Sequence, residues 1–464
     1  MIYGLLRWIA GVALRWYYRD VQVRGIERLP RTGPLLVAPN HPNALVDALL
    51  VGRIIPRRLL ITAKATLFAN PIAAWALRKL GVLPLRRMSD ERRRIQGGGA
   101  ASTTRNEDTF RAVLDALAAG GAVLMFPEGK SWDEPYLAPL RTGIARIALQ
   151  AQEGGVSGVT IVPVGIVFEQ KERPRSRVLV QVGEPIDVEA WSREPHANAV
   201  AALTDELTRR LHAVTLNHPS LETAVRERDL AALFAALREE ATPLTASRPL
   251  EADVALARRI AEGRLLLESL GDALDGGSTS ARVNAVLQRA DAFVATLATR
   301  GLRVEDVTVS PRTLPGARFA LREGAFLGIG LPIAVWGRVH HWLPMRLAGL
   351  LARGGTSRAD PAMRRIVAGV VLVLAWYAIV WFLVRALTGS ALGATAYLLT
   401  LPIAEDFALR FQERMSRAYE RMRAYLTFRR DPALHRTLRA ERAWLRDASL
   451  ELEEELLGSR GSTS

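Results

Sequence analysis

The chain of 464 residues predicts an α/β domain, with a central, mostly buried sheet flanked by helices, followed by a helical region and a C-terminal transmembrane hairpin. Three observations carry that expectation. Residues 21–183 alternate short apolar runs with helical stretches, the rhythm of strands covered by helices. From 188 to about 310 the composition becomes uniformly rich in Leu, Ala, Arg and Glu with helical periodicity. Residues 366–384 then form nineteen consecutive positions without a charge, long enough to cross a bilayer. The length exceeds the usual size of one domain, so two or more units are expected.

Residues 1–19 open the chain with an apolar stretch interrupted by Arg7 and Arg15. On a helix, Gly4, Arg7, Gly11 and Arg15 share a narrow stripe beside Trp8 and Trp16, which suits an interfacial membrane anchor. No small-residue cleavage site follows a charged start, so a secretory signal is not expected. The strands are read at 34–38, 59–62, 122–126 and 160–167, and the helices near 43–54, 70–80, 106–119 and 138–152. Residues 86–104, containing Gly97-Gly98-Gly99, are too polar and glycine-rich for either and read as a long loop.

Residues 188–320 are expected to be a helical, mostly soluble region without a chemical signature of its own. Membrane segments follow at 321–404. Residues 324–336 are apolar but short and broken by Pro332, so they re-enter or lie flat. The hairpin is expected at about 366–404, its second half weakened by Thr388, Gly389, Ser390, Thr395 and Pro402. Arginines crowd both outer flanks, from Arg346 to Arg365 and from Arg410 to Arg423, while the connection holds only Arg385. That asymmetry places both flanks, and the active domain, on the cytoplasmic face. Residues 405–464 read as a charged, solvated helical tail.

The chain has no cysteine, which excludes disulfides, thiolate metal sites and a cysteine nucleophile. Its 62 basic and 47 acidic residues leave a formal charge of +15, which suits anionic partners such as lipid headgroups, phosphorylated substrates or coenzyme A. An arginine-rich genome explains the same excess. No zinc-finger or RNA-recognition pattern is present, so nucleic acid is not an expected partner.

Four strings concentrate the chemistry. In Asn40-His41-Pro42-Asn43 with Asp47, His41 follows an apolar strand and Asn43 is placed to cap the next helix. Asp47 then falls in the first turn, able to fix one imidazole nitrogen as donor and leave the other as a base. Taken alone, the pair also suits a structural histidine. Residues 81–87 end an apolar segment with Arg86 and Arg87, whose forked donors match phosphate oxygens. Phe126-Pro127-Glu128-Gly129 follows a strand directly: Gly129 permits a tight turn, and Glu128 can accept from substrate hydroxyls. Lys130 and Ser131 add potential phosphate contacts. Val162-Pro163-Val164-Gly165 reads as an apolar wall, suited either to an acyl channel or to plain core.

In this order the strings resemble the glycerolipid acyltransferase superfamily over residues 20–187, the range taken as the acyltransferase domain and closed by Val182-Gly183-Glu184-Pro185-Ile186. The resemblance implies His41 as catalytic base with Asp47 as its partner. Arg87 and Glu128 then bind a phosphorylated glycerol acceptor, and Asn43, Gly129, Lys130 and Ser131 complete the substrate-binding set. The family usually has four residues between His and Asp, and an Arg after Phe-Pro-Glu-Gly. Here there are five, and Lys130-Ser131-Trp132 follows. Both features are similar to the fungal-type glycerol-3-phosphate/dihydroxyacetone-phosphate acyltransferases. The implied reaction moves a fatty acyl group from acyl-CoA, or acyl carrier protein, to a hydroxyl of either acceptor. Lysophosphatidic acid is the rival acceptor. A non-catalytic lipid-binding protein on the same fold, or a membrane-surface adaptor built on 188–310, is the reading from another class. No metal or prosthetic group is implied; acyl-CoA enters as substrate.

Overall fold

Eight strands form one mixed sheet in the computed structural model, which describes residues 2–68, 71–79, 81–85, 104–238, 249–270, 278–309, 313–352 and 361–461. The strands are β1 (Asp20–Arg24), β2 (Leu35–Pro39), β3 (Leu59–Lys64), β4 (Val82–Leu85), β5 (Ala122–Leu124), β6 (Thr160–Phe168), β7 (Arg177–Val182) and β8 (Ile186–Asp187). Their order is β1-β7-β6-β2-β5-β3-β4, with β8 also on β6. The five strands from β6 to β4 are mutually parallel, whereas β7 and β8 run antiparallel to β6. The carboxyl ends of β2, β5 and β6 therefore open on one edge of the sheet, where open α/β folds gather their sites.

The short apolar runs become strands because both faces of the sheet are covered. Along β2, Leu35 and Val37 enter one core layer while Leu36 and Ala38 enter the other. The first layer is closed by α1 (Ile2–Tyr17) and α2 (Ala44–Ile54), through Leu14, Tyr18, Val46 and Leu50. The second is closed by α4 (Thr104–Ala118), α5 (Gly143–Glu153) and α6 (Ala199–Val214); α3 (Pro71–Lys79) lies between β3 and β4 in sequence. Each fully buried Leu or Val contributes roughly 1.5–3 kcal/mol.

The chain divides into two units, Met1–Ser220 with Ala348–Val370 and Leu221–Leu347 with Val371–Ser464. The first unit thus runs past the expected boundary at 187, because Leu203, Leu207 and Leu211 of α6 pack into the second core layer. Gly165 permits this docking: a Cβ there would lie 1.9 Å from the carbonyl oxygen of Val214. Helix α1 is divided in role. Leu14, Tyr17 and Tyr18 after it are buried, while Leu5 and Trp8 are exposed.

The second unit is helical: α7 (Leu221–Leu237), α8 (Leu250–Leu270), α9 (Ser278–Arg300), parts of α10 (Thr313–Ala352) and α11 (Pro361–Thr388), and the whole of α12 (Ala391–Arg430) and α13 (Pro432–Gly461). One core joins Leu230 and Leu233 of α7, Phe293 and Leu297 of α9, Phe428 of α12, and Leu438 and Leu445 of α13. The expected solvated tail is therefore corrected: Leu438 and Leu445 complete this core, and Glu405 is buried.

Three helices, Ala317–Ala352, Ala362–Thr388 and Ala391–Arg430, are long and apolar enough to cross a membrane. The stretch at 324–336 is thus part of a continuous helix that passes through Pro332 and Pro344. Large apolar side chains, among them Ile329, Leu374, Phe382, Leu399 and Ile403, are exposed on these helices. Several of their polar groups are paired within the unit: His341 with the Tyr377 hydroxyl at 2.7 Å, His340 with that of Tyr397 at 2.8 Å, and Arg338 with Glu405 at 3.3 Å. Such pairing is what an apolar surrounding demands.

Candidate active site

The site starts where β2 ends. Asn40 extends the pairing of β2 with β6 through its side chain, which donates to the Ile166 carbonyl at 3.1 Å and accepts from the Ile166 N–H at 2.7 Å. This ladder-like grip fixes the point at which the chain leaves the sheet, and His41 is the next residue. Its Nδ1 lies 3.0 Å from Oδ2 of Asp47, in the first turn of α2. With Asp47 ionised, Nδ1 carries the proton and Nε2 keeps the lone pair.

Asp47 is wholly buried. Its Oδ2 also accepts the Asn43 backbone N–H at 2.7 Å, whereas Oδ1 has no hydrogen-bond partner. Burial pushes the carboxyl above the ordinary carboxylate range, opposed by the hydrogen bonds from His41 and Asn43 and by the charge of Lys171. Between His41 and Asp47, Ala44 has a φ of 46°, which is left-handed and uncommon for a residue with a Cβ.

Asn43 occupies the N-cap position, but its side chain does not cap α2. It turns away to donate to the Tyr18 hydroxyl at 3.2 Å and to the Lys171 carbonyl at 3.4 Å. The side-chain cap expected from the sequence is corrected accordingly: none forms, and the tie at this end of the helix is the Asn43 N–H donated to Asp47. Lys171, in the loop after β6, pairs with Asp133, and burial lowers its pKa.

The neighbouring strand β5 delivers Phe126-Pro127-Glu128-Gly129. The Phe126 ring stacks on the imidazole of His41, with centroids 3.6 Å apart and planes 16° from parallel. Gly129 turns at φ +70°, where any side chain would strain the backbone. Glu128 is only 3% exposed. Its Oε1 accepts the backbone N–H of His41 at 2.7 Å, and Oε2 accepts that of Ala138 at 3.1 Å. Burial raises its pKa against these two hydrogen bonds. The structure thus seats Glu128 as a clamp between the His41 segment and the loop beyond the turn. The Trp132 N–H adds a third tie, to the His41 carbonyl at 2.9 Å.

The remaining expected site residues are placed less closely. Lys130 is exposed with its ammonium 4.1 Å from the Trp132 ring centroid, and Ser131 is half-buried. Arg87 lies outside the described residues, as do Arg86 and Arg92-Arg93-Arg94. Sequence reasoning assigned no role to Tyr18, Asn40 or Lys171. Asn40 was legible as a polar residue at the end of a buried strand; the other two come from distant segments, and nothing local marks them. Among the described residues, no group of three or more His, Asp or Glu is placed to hold a metal ion.

Residues 20–167 match the Acyltransferase family model. The matched range lies within the first unit and contains the strands and turns that carry His41, Asp47 and Glu128. Three relatives illustrate the likeness. An uncharacterized acyltransferase of Schizosaccharomyces pombe is 24% identical over 304 residues, 48% of this chain and 45% of that one. Glycerol-3-phosphate O-acyltransferase 2 of Saccharomyces cerevisiae is 33% identical over 163 residues, 34% of this chain and 21% of that one. The chloroplastic 1-acyl-sn-glycerol-3-phosphate acyltransferase BAT2 of Brassica napus is 25% identical over 166 residues, 36% and 42% of the two chains. The chain thus spans less than half the length of these relatives. A crystal structure of the 1-acyl-sn-glycerophosphate acyltransferase of Thermotoga maritima aligns with a TM-score of 0.33 and 20% identity, covering 45% of this chain and 78% of that one.

Proposed function

We propose that the protein is a membrane-bound O-acyltransferase that moves a fatty acyl group from acyl-CoA to a hydroxyl of glycerol 3-phosphate or dihydroxyacetone phosphate. The observation that carries this is the buried His41–Asp47 contact at 3.0 Å, at the carboxyl end of a parallel strand. Nε2 of His41 takes the proton of the acceptor hydroxyl, and the oxygen attacks the thioester carbonyl carbon. As the C–S bond breaks, the leaving thiolate recovers that proton from His41. The acceptor itself is the nucleophile, so no serine or cysteine is required. Arg87 and Lys130 are assigned to the acceptor phosphate, a positioning role that accounts for a large part of such accelerations.

The names of the yeast relatives favour glycerol 3-phosphate as acceptor, and those of the plastid relatives favour its 1-acyl derivative. Long-chain donor and product both partition into lipid, which fits the apolar helices. The shared core of α7, α9, α12 and α13 keeps Leu230, Phe293, Phe428 and Leu445 on one side of a membrane, so an even number of crossings separates α9 from the end of α12. Helices α11 and α12 supply a two-pass hairpin, and the arginines on its outer flanks favour the cytoplasmic face for the catalytic domain.

The test is incorporation of labelled palmitoyl from its CoA thioester, with glycerol 3-phosphate, dihydroxyacetone phosphate and lysophosphatidic acid offered separately. Membranes carrying wild type and His41→Ala are compared. His41-dependent product is expected with one of the first two acceptors. Product with lysophosphatidic acid alone moves the enzyme to the next acylation step. Absence of His41-dependent product with any acceptor removes the acyltransferase reading.

A further inference from the structure

We propose that Tyr18 is a positioning residue for the His41–Asp47 pair, acting through Asn43 to hold the left-handed turn at Ala44. The inference rests on His41 being the base, but its geometry is independent of substrate.

Three facts converge. Between His41 and Asp47 the backbone turns at Ala44, in a conformation that residues with a Cβ resist. The residue before that turn, Asn43, binds Asp47 through its own N–H at 2.7 Å, so its orientation and that of the carboxylate are one variable. The Asn43 side chain is in turn gripped by the Tyr18 hydroxyl at 3.2 Å, with the Lys171 carbonyl as a second acceptor at 3.4 Å.

Tyr18 is suited to anchor. It is 1% exposed, with its ring against Tyr17 at 4.8 Å and Phe168 at 5.7 Å between centroids. A buried hydroxyl held by packing offers a fixed acceptor, and a buried amide must find one. The chain of contacts therefore runs from the end of α1 through Tyr18 and Asn43 to Asp47 and the imidazole. Neither Tyr18 nor Asn43 touches the reacting atoms in this scheme. They determine how often Nδ1 of His41 faces its acceptor.

A cycle of two substitutions tests this. Tyr18→Phe keeps the ring and removes the acceptor; Ala44→Gly lets the left-handed turn form without strain. Tyr18→Phe is expected to lower kcat about five- to tenfold with KM for the acceptor changed less than about twofold. In the Ala44→Gly background the same substitution is expected to cost less than about twofold, since the turn no longer needs the anchor. In parallel, modification of His41 by diethyl pyrocarbonate is followed by peptide mass spectrometry in detergent. Tyr18→Phe should speed it, and adding Ala44→Gly should restore the wild-type rate.

An equal kcat loss in both backgrounds, a loss confined to KM, or a His41 labelling rate unmoved by Tyr18→Phe overturns the proposal. Should wild type show no His41-dependent transfer, the functional reading falls, and the labelling cycle alone decides the positioning role. Asn43→Ala replaces Tyr18→Phe in the cycle if the latter fails to fold by thermal melting.

Discussion

Nδ1 of His41 and Oδ2 of Asp47 stand 3.0 Å apart across five intervening residues, closed by one left-handed residue at Ala44. The contact joins the end of a strand to the first turn of a helix. Its carboxylate is wholly buried, with one oxygen shared between the ring and a backbone N–H, and the other unpartnered.

Replacing that carboxylate separates catalysis from stability. Asp47→Asn keeps the shape and can still accept the Asn43 N–H, but it no longer stabilises an imidazolium. Transfer is expected to fall about 10²- to 10⁴-fold. Burial holds the Asp47 and Glu128 carboxyls above their ordinary values, so each binds its proton more tightly when folded than when unfolded. Their favourable contribution is full below the ordinary carboxylate range and is lost as pH rises through the raised values. Melting temperature against pH, in detergent, should therefore decline less over that window in Asp47→Asn than in wild type. A steeper decline contradicts the burial argument.

Glu128→Gln distinguishes a clamp from a substrate ligand. One of its two backbone donors would face an amide N–H instead of an oxygen, leaving it unsatisfied at about 1–3 kcal/mol. A lower melting temperature is expected, with kcat reduced and KM for the acceptor nearly unchanged. If KM rises several-fold with no loss of stability, Glu128 contacts substrate directly.

Gly165 carries the fourth string's demand. A Cβ at this position would point straight at the Val214 carbonyl oxygen, 1.9 Å away, so Gly165→Ala must push the end of α6 off β6. A loss of about 1–3 kcal/mol is expected from such overpacking. Thermal melting gives the answer, and a neutral result would mean that α6 docks with more freedom than its buried leucines suggest.

The absence of cysteine makes membrane topology directly measurable. Single cysteines at exposed positions, Ala285→Cys, Ala440→Cys and Ser390→Cys, can be labelled with an impermeant maleimide in sealed vesicles. The first two should react from the same side and the third from the opposite side. Reaction of Ala285→Cys and Ala440→Cys from opposite sides is incompatible with the core that contains Phe293 and Leu445.

Much of the domain was legible because both faces of its strands are buried. Runs such as 35–38 and 160–167 advertise themselves by continuous apolarity, and the helices between them by period. His41 and Asp47 were legible for a similar reason: their spacing places them at a strand end and in the next helical turn. What stayed hidden depends on contacts between distant segments. Nothing near Asn43 announces that Tyr18 will draw its amide away from the helix it precedes. Glu128 has the chemistry of a substrate ligand, and nothing local announces that it will also accept the backbone N–H groups of residues 41 and 138. Likewise, the leucines of α6 and α13 carry no mark of which core they will enter.

The stacking of His41 on Phe126 has a consequence for the timing of charge. The two ring centroids lie 3.6 Å apart. In the proposed reaction His41 takes up the acceptor's proton, and the resulting positive charge would lie over the electron-rich face of the phenyl ring, a cation–π contact specific to that state. Under that proposal Phe126 favours the transient imidazolium without any polar atom of its own. A hydrophobic residue chosen for its face becomes an electrostatic partner for the brief interval between proton uptake and return.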